Sequence, residues 1–177
     1  MSVFPVLEVE LAWVVELVNE FSDPARAAAG EQDVPYPELT APDDSSVSQP
    51  WKTAELVNLA NELHAIFDTA ERGGSVDKAI NAILDRARPW QRAVPGGIGF
   101  AVNDIHDVIR AACALPLLEW IATHGTERLG LCDAGRCVDV FVDASAAGHR
   151  RFCSVTCSNR HRVAQYRARQ RAQRKGP

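Results

Sequence analysis

The chain has 177 residues, 46% of them hydrophobic and 24% charged, a composition typical of a soluble globular protein rather than a disordered or membrane-embedded one. Its length allows one ordinary domain with a small appendage. No run of 18 apolar residues occurs, and the N-terminal segment carries early glutamates instead of a basic region. We therefore expect neither a membrane span nor a signal peptide, and we expect a cytoplasmic protein.

Apolar residues at helical spacing predict an amphipathic helix over residues 7–21, which Asp23 and Pro24 should end. Residues 22–50 contain five of the ten prolines and predict a long loop. A second helix should follow and end at two glycines. A third should begin with Ser75 as its N-cap and end before Pro89.

The segment after the third helix is the least helical part of the body. Residues 90–103 predict a short strand or an apolar loop, and residues 104–124 predict a last helical region that Pro116 should kink or split. Helices this short must pack on one another to be stable. Residues 1–127 therefore predict a small helical domain, and the fold class is mainly α.

Charge is distributed unevenly along the chain, although the formal net charge is only −4. Residues 1–149 hold all 23 acidic residues and 10 basic ones, whereas residues 150–177 hold nine basic residues and no acidic one. This change of sign predicts that the C-terminal end binds a polyanion. A solvated, frayed tail is the simpler alternative.

Four of the five cysteines lie near this basic end, in two pairs. Cys132 and Cys137 are separated by four residues, Cys153 and Cys157 by three, and fifteen residues lie between the pairs. In a reducing compartment such pairs are more often metal ligands or catalytic groups than disulfides. Four thiolates suit tetrahedral zinc and leave no open position for water, so we predict one structural Zn²⁺.

Two alternatives to four thiolate ligands remain at this point. His149 or His161 lies close enough in sequence to replace a cysteine. A redox dithiol fits less well, because no Cys-x-x-Cys motif is present and no βαβ pattern surrounds the cysteines.

Residues 128–177 predict a treble-clef-like zinc finger, built from a β-hairpin and a C-terminal basic helix. Residues 138–143 alternate apolar and polar side chains, which is typical of a strand, and a turn near Gly148 should return the chain through residues 150–152 to the third cysteine. Ser154 can cap the helix that follows, whose dipole favours thiolates in its first turn.

The C-terminal helix is rich in arginine. At about 100° per residue, Val163 and Tyr166 form a narrow strip that we expect to pack on the zinc module. Arginine offers a planar fork of donors that suits phosphate and the edge of guanine, so we predict that this helix enters the major groove of double-stranded DNA. Its candidate DNA contacts are Arg160, Arg162, Arg167, Arg169, Arg171 and Arg174.

The C-terminal segment resembles the CGNR zinc finger family, which is named for a Cys-Gly-Asn-Arg signature. That signature is Cys157-Ser158-Asn159-Arg160 here, so Ser158 departs from the glycine. A position that needs positive φ would be strained by serine, whereas a helical position would favour it. The other matching residues are Phe141, Asp143, Ser145, Arg150, Arg151, Phe152, Tyr166, Arg167 and Arg169.

The resemblance implies a function. CGNR fingers usually follow a helical ABATE domain, which residues 7–125 resemble loosely through the motif "LVNEF". The resemblance to the CGNR family implies a stress-linked bacterial transcription regulator. It also adds Arg150, Arg151 and Asn159 to the expected DNA contacts. For Asn159 and Arg160 the alternative is a hydrogen bond inside the finger.

The body offers fewer functional signals. Cys113 lies in an apolar run and is expected to be a buried, inert thiol, with a redox sensor as the alternative. The tryptophans and residues 94–100 can line a pocket for a small-molecule effector. A single finger has a small footprint on DNA, which makes a homodimer formed through the body plausible.

Three classes of function therefore remain after the sequence alone. A DNA-binding regulator is preferred, and a zinc-module adaptor for protein interactions without sequence-specific DNA binding is the alternative. No nucleophile motif or phosphate-binding loop is present, so we do not expect an enzyme.

Overall fold

The computed structural model describes residues 2–39 and 51–174, and the described fold is mainly α. Two small antiparallel sheets accompany the helices. The helices are α1 (Leu11–Phe21), α2 (Asp23–Ala29), α3 (Thr53–Glu71), α4 (Asp77–Ala87), α5 (Asp107–His124) and α6 (Val155–Arg174). The strands are β1 (Phe4–Pro5), β2 (Trp90–Val94), β3 (Gly97–Val102), β4 (Leu129–Leu131) and β5 (Val140–Val142), and a short 3₁₀ turn covers Thr126–Arg128.

Helix α3 lies at the centre of the body. The apolar stripe predicted for it is buried, with Leu63 and Phe67 completely shielded from solvent. Helix α1 packs on α3, and α4 packs on α5, so each helix buries the face that its sequence makes apolar. The predicted helices of the body are therefore confirmed, except that the first begins at Leu11 rather than at residue 7.

The predicted loop over residues 22–50 is wrong in its first part. Helix α2 begins at Asp23, with Pro24 in its first turn, and ends at Ala29, where it is capped by Gly30 with a φ of +77°. Proline is tolerated there because the first N–H groups of a helix need no intrahelical partner. The later part of the loop, residues 40–50 with their Ser-rich patch, lies outside the described residues.

Two further expectations about helix ends are corrected. Ser75 does not cap α4, because its hydroxyl bonds to the side chain of Asp77 at 3.0 Å and Val76 occupies the cap position. Of the two outcomes expected at Pro116, the split is wrong, because Pro116 lies inside α5, and the kink stays a prediction. One backbone hydrogen bond is lost at proline, but the buried side chains on either side, Cys113 and Leu117, keep both halves packed in the core.

Residues 90–102 form a hairpin rather than a single strand. Strand β2 pairs with β3 so that Trp90 lies opposite Ala101, and β3 pairs on its other side with β1. An open surface groove of about 660 Å³ lies beside this sheet, lined by Leu84, Asp85, Arg88, Pro89, Phe100 and Leu115. Of the residues expected to line an effector pocket, Phe100 borders this groove.

The second sheet joins the C-terminal segment to the body. Leu129 of β4 and Val140 of β5 are buried in the same apolar core as α1, α3 and α5. The boundary at residue 127 therefore falls immediately before an element that is packed on the helices. No helix within residues 2–39 and 51–174 is both long and apolar enough to cross a lipid bilayer.

Candidate metal centre and basic helix

The first cysteine pair lies in the loop between β4 and β5. These strands pair in register Leu129 with Val142, and the amide of Cys132 donates to the carbonyl of Asp139 at 2.9 Å, which continues the ladder past Leu131. The loop then turns tightly, and the amide of Cys137 donates to Ala134 at 2.9 Å. The hairpin therefore presents Cys132 and Cys137 at its tip.

This strand pairing corrects the predicted hairpin. The sequence predicts a return of residues 138–143 through residues 150–152, but β5 pairs with β4, which precedes the first cysteine. Strand β4 has the sequence Leu-Gly-Leu, too short to show a period of two. Its Gly130 is required, because a Cβ there would lie 2.6 Å from the ring of Phe141.

The second cysteine pair lies at the start of α6. The hydroxyl of Ser154 accepts the amide of Cys157 at 3.2 Å, which confirms the predicted N-cap. Cys157 is buried in the first turn of the helix, and Cys153 lies just before it. The partial positive charge of the helix N-terminus favours thiolates at this place.

The four thiols converge on one point. Their sulfur atoms all lie within 4.8 Å of one another, and Cys153 Sγ is 3.7 Å from Cys137 Sγ and 3.6 Å from Cys157 Sγ. A tetrahedral zinc with Zn–S bonds of about 2.3 Å separates its sulfur ligands by about 3.8 Å. The arrangement thus fits one structural zinc ion, as the spacing of the cysteines predicted. His161 instead contacts Phe152 and Gln165.

The environment of Cys137 and Cys153 disfavours the thiolate form. Burial raises the pKa of Cys153 to about 12 and raises the pKa of Cys137 above its ordinary value. Burial acts in the same direction on Cys157, but hydrogen bonds from Ser154 and the neighbouring thiols outweigh it and lower the pKa of that thiol. Zinc must therefore displace protons from this site.

Two of the predicted DNA contacts make bonds inside the finger. The guanidinium of Arg150 donates to the carbonyls of Phe152 at 2.8 Å, Val142 at 3.3 Å and Cys153. Arg151 forms an ion pair with Asp133, in the loop that carries the first cysteine pair. Both side chains brace the metal centre, and their contact with DNA stays a prediction.

Asp143 organises the turn before the second cysteine pair. Its carboxylate is 4% exposed and accepts the amides of Ser145 and Arg150, each at 2.9 Å, with the guanidinium of Arg128 at 3.9 Å. Burial opposes ionisation, but these donors outweigh it and lower the pKa of Asp143 to about 2. The Asp-x-Ser motif is the sequence signal for this turn.

Side chains of the body hold the hairpin, and sequence reasoning missed them. Asn19 of α1 bonds both backbone groups of Val140, donating to the carbonyl at 3.1 Å and accepting the amide at 2.7 Å. His64 of α3 donates to the carbonyl of Val138 at 3.0 Å. The motif "LVNEF" contains Asn19, but nothing near it in the sequence indicates a partner 121 residues away.

Helix α6 extends away from the zinc module, and almost all of its side chains are at least partly exposed to solvent. Among its residues only Cys157 is buried, whereas Val163 is 47% exposed and Tyr166 is 64% exposed. The expectation that these two residues pack on the zinc module is therefore wrong. The physical reason is the helical period, because Cys157 faces the metal and these two residues lie about 120° and 180° around the helix from it.

The arginines of α6 are available for a partner. All six are exposed, and the helix contains no acidic residue. Within the described part of the chain, none of them forms a hydrogen bond or ion pair, and neither does the side chain of Asn159. The alternative of an internal hydrogen bond for Asn159 or Arg160 finds no partner among these residues.

These features define a zinc-binding module of four cysteines with a basic C-terminal helix. Comparison with known families places it more closely, since residues 128–170 match the model of the CGNR zinc finger. The matched segment begins immediately before β4 and ends within α6. No curated protein matches the chain. The resemblance of residues 7–125 to an ABATE domain stays a prediction.

Proposed function

We propose that the chain is a zinc-dependent, DNA-binding transcription regulator whose helix α6 contacts double-stranded DNA. The observation that carries the proposal is the free arginine surface of α6. Six arginines project from a helix without acidic residues, and none has a partner within the described chain. Arginines placed in this way suit a row of phosphates, whose counterions they would displace.

The zinc module supplies the rigid base for this helix in our proposal. Its hairpin, its first cysteine pair and the second pair at the start of α6 would form a treble-clef-like finger. Two sets of contacts fix the start of α6 on the zinc module. Ser154 caps the turn that carries Cys157, and Arg150 donates to the carbonyls of Phe152 and Cys153 just before the helix. Arg150 and Arg151 lie at the same end of α6 and would reach phosphates beside the groove.

We further propose that residues 1–127 form an ABATE-like domain without catalytic activity, in a cytoplasmic bacterial protein. This domain would bind an effector or form a homodimer, and residues 128–177 would bind DNA. Support for communication between them comes from Asn19 and His64, which bond the backbone of the hairpin next to the cysteine loop. A change in the packing of α1 or α3 would therefore reach the finger.

Salt-dependent binding to duplex DNA tests the proposal. With zinc-loaded protein and a labelled duplex of random sequence, neutralising four to six phosphates should give a slope of log K against log salt of roughly −4 to −5. Arg167→Ala and Arg171→Ala should each flatten that slope by about one unit without unfolding the finger.

Gln165→Ala is the matched control, because it shortens a side chain of the same helix without removing charge. Unchanged affinity and slope in both arginine variants would remove α6 from the interface. Absence of duplex binding by the wild type would favour the protein-interaction adaptor instead.

A further inference from the structure

Helix α6 presents a face without arginine that points away from the zinc module. At about 100° per residue, Asn159, Val163, Tyr166, Gln170 and Gln173 fall within an arc of about 80°. We propose that this arc, termed the reading face, contacts base pairs in the major groove while the arginines beside it bind phosphates. The inference rests on the proposed DNA binding and assigns the residues that would determine sequence specificity.

The orientation of the reading face follows from the metal ligand on the same helix. Cys157 lies about 160° around the helix from Asn159, and Cys157 is the residue that faces the other three thiols. The back of the helix continues from Cys157 through the small residues Ala164 and Ala168. The metal centre therefore fixes which side of α6 is turned outward.

The exposure of the reading face indicates an apolar contribution from a partner. Val163 and Tyr166 leave 47% and 64% of their surfaces in water, although the protein buries its other helices' apolar stripes. Within the described residues Tyr166 has no hydrogen bond or ring contact. A methyl group or base edge would cover these side chains favourably.

Arginines flank the reading face on both sides. Arg160, Arg167 and Arg171 lie about 80–120° to one side of Asn159, and Arg162 and Arg169 lie about 60–80° to the other. A helix in the major groove has a phosphate backbone on each side of it. This distribution places guanidinium groups near both DNA strands and leaves the centre of the groove to the reading face. The charge complementarity between these arginines and two phosphate backbones favours duplex DNA as the partner.

The chemistry of the reading face favours A·T base pairs. Asn and Gln each carry a donor and an acceptor, the pair that matches N7 and the N6 amino group of adenine. The thymine methyl group suits an apolar contact with Val163. From Asn159 to Gln173 the face extends for about 21 Å, which corresponds to on the order of four to six base pairs.

Selection from a random duplex pool at near-physiological salt tests this assignment. Zinc-loaded wild type should enrich a motif containing A·T pairs. Asn159→Ala or Gln170→Ala should lose the preference at one position by roughly 5- to 150-fold while retaining the salt dependence. Gln165→Ala is the control, because it removes a glutamine about 120° away from Asn159, bonded to His161 at 2.8 Å. Zinc content and circular dichroism verify that each variant is folded.

The outcomes separate this inference from the proposal on which it rests. A motif unchanged in both variants, a motif of G·C pairs alone, or retention of DNA without any enriched motif would overturn the reading face and leave DNA binding intact. Failure of the wild type to retain any duplex would overturn both.

Discussion

The side chain of Asn19 holds strand β5 as a neighbouring strand would, through one donated and one accepted hydrogen bond to Val140. Val140 is fully buried, so Asn19→Ala takes the side-chain partner from both of its backbone groups. An unpaired buried polar group costs about 1–3 kcal/mol, and two such groups should cost about 2–6 kcal/mol in total. Alanine is the better helix former and offsets about 0.5 kcal/mol of this loss.

Urea unfolding of the zinc-loaded protein measures this loss. We expect the unfolding free energy to fall with urea concentration at the same slope in the wild type and in Asn19→Ala. Because β5 follows the cysteine loop directly, the variant should also bind zinc more weakly. Glu20→Ala is the matched control, since Glu20 lies on the exposed side of the same helix turn. A change in unfolding free energy below about 0.5 kcal/mol in Asn19→Ala would refute the proposed attachment of the finger to the body.

Three other predictions concern a buried carboxylate, a helix cap and a buried thiol. Asp143→Asn should lower the unfolding free energy at neutral pH by about 2 kcal/mol, because the lowered pKa of Asp143 stabilises the fold above pH 4. This difference from the wild type should shrink as the pH falls below about 4 and vanish at about pH 1, below the folded-state pKa of about 2. Ser154→Ala should cost about 1 kcal/mol, since the amide of Cys157 loses its cap. Cys113, whose pKa burial raises to about 12, should resist alkylation of the native protein when peptides are mapped by mass spectrometry.

Each of these has a clear contrary result. An undiminished difference between Asp143→Asn and the wild type at about pH 1 would show that the stabilisation does not come from the carboxylate. Thr156→Ala is the matched control for Ser154→Ala, because Thr156 is exposed in the same turn, and equal stability of the two variants would remove the capping interaction. Alkylation of Cys113 at the rate of a free thiol would place it outside the core.

The metal centre could be predicted from the sequence because it depends on spacing. Two cysteine pairs and a capping serine define their own local geometry, and the structure brings all four thiols together as expected. Helices α1, α3, α4 and α5 could be predicted for a similar reason, since each carries an apolar stripe of helical period, whereas the seven-residue α2 carries no such stripe and was missed. The groove beside Phe100 had no such signal, because its lining comes from α4, α5 and β3 and the residues between them.

The contacts between body and finger could not be predicted, because they join residues far apart in the chain. Nothing local in "LVNEF" or "LGL" indicates that Asn19 bonds Val140 or that β4 is the partner of β5. The exposed strip of α6 is a different case. Its orientation follows from the position of Cys157 on the helical wheel, so the sequence contained the signal that Val163 and Tyr166 face away from the metal.

We propose that zinc organises the finger so that α6 can bind DNA. The most direct test of this proposal is the metal content of the protein retained on immobilised duplex DNA at near-physiological salt, before and after treatment with a chelator. We expect one zinc per retained chain and release of the protein when the metal is removed. Equal retention without zinc, or no retention of the zinc-loaded chain, would contradict it.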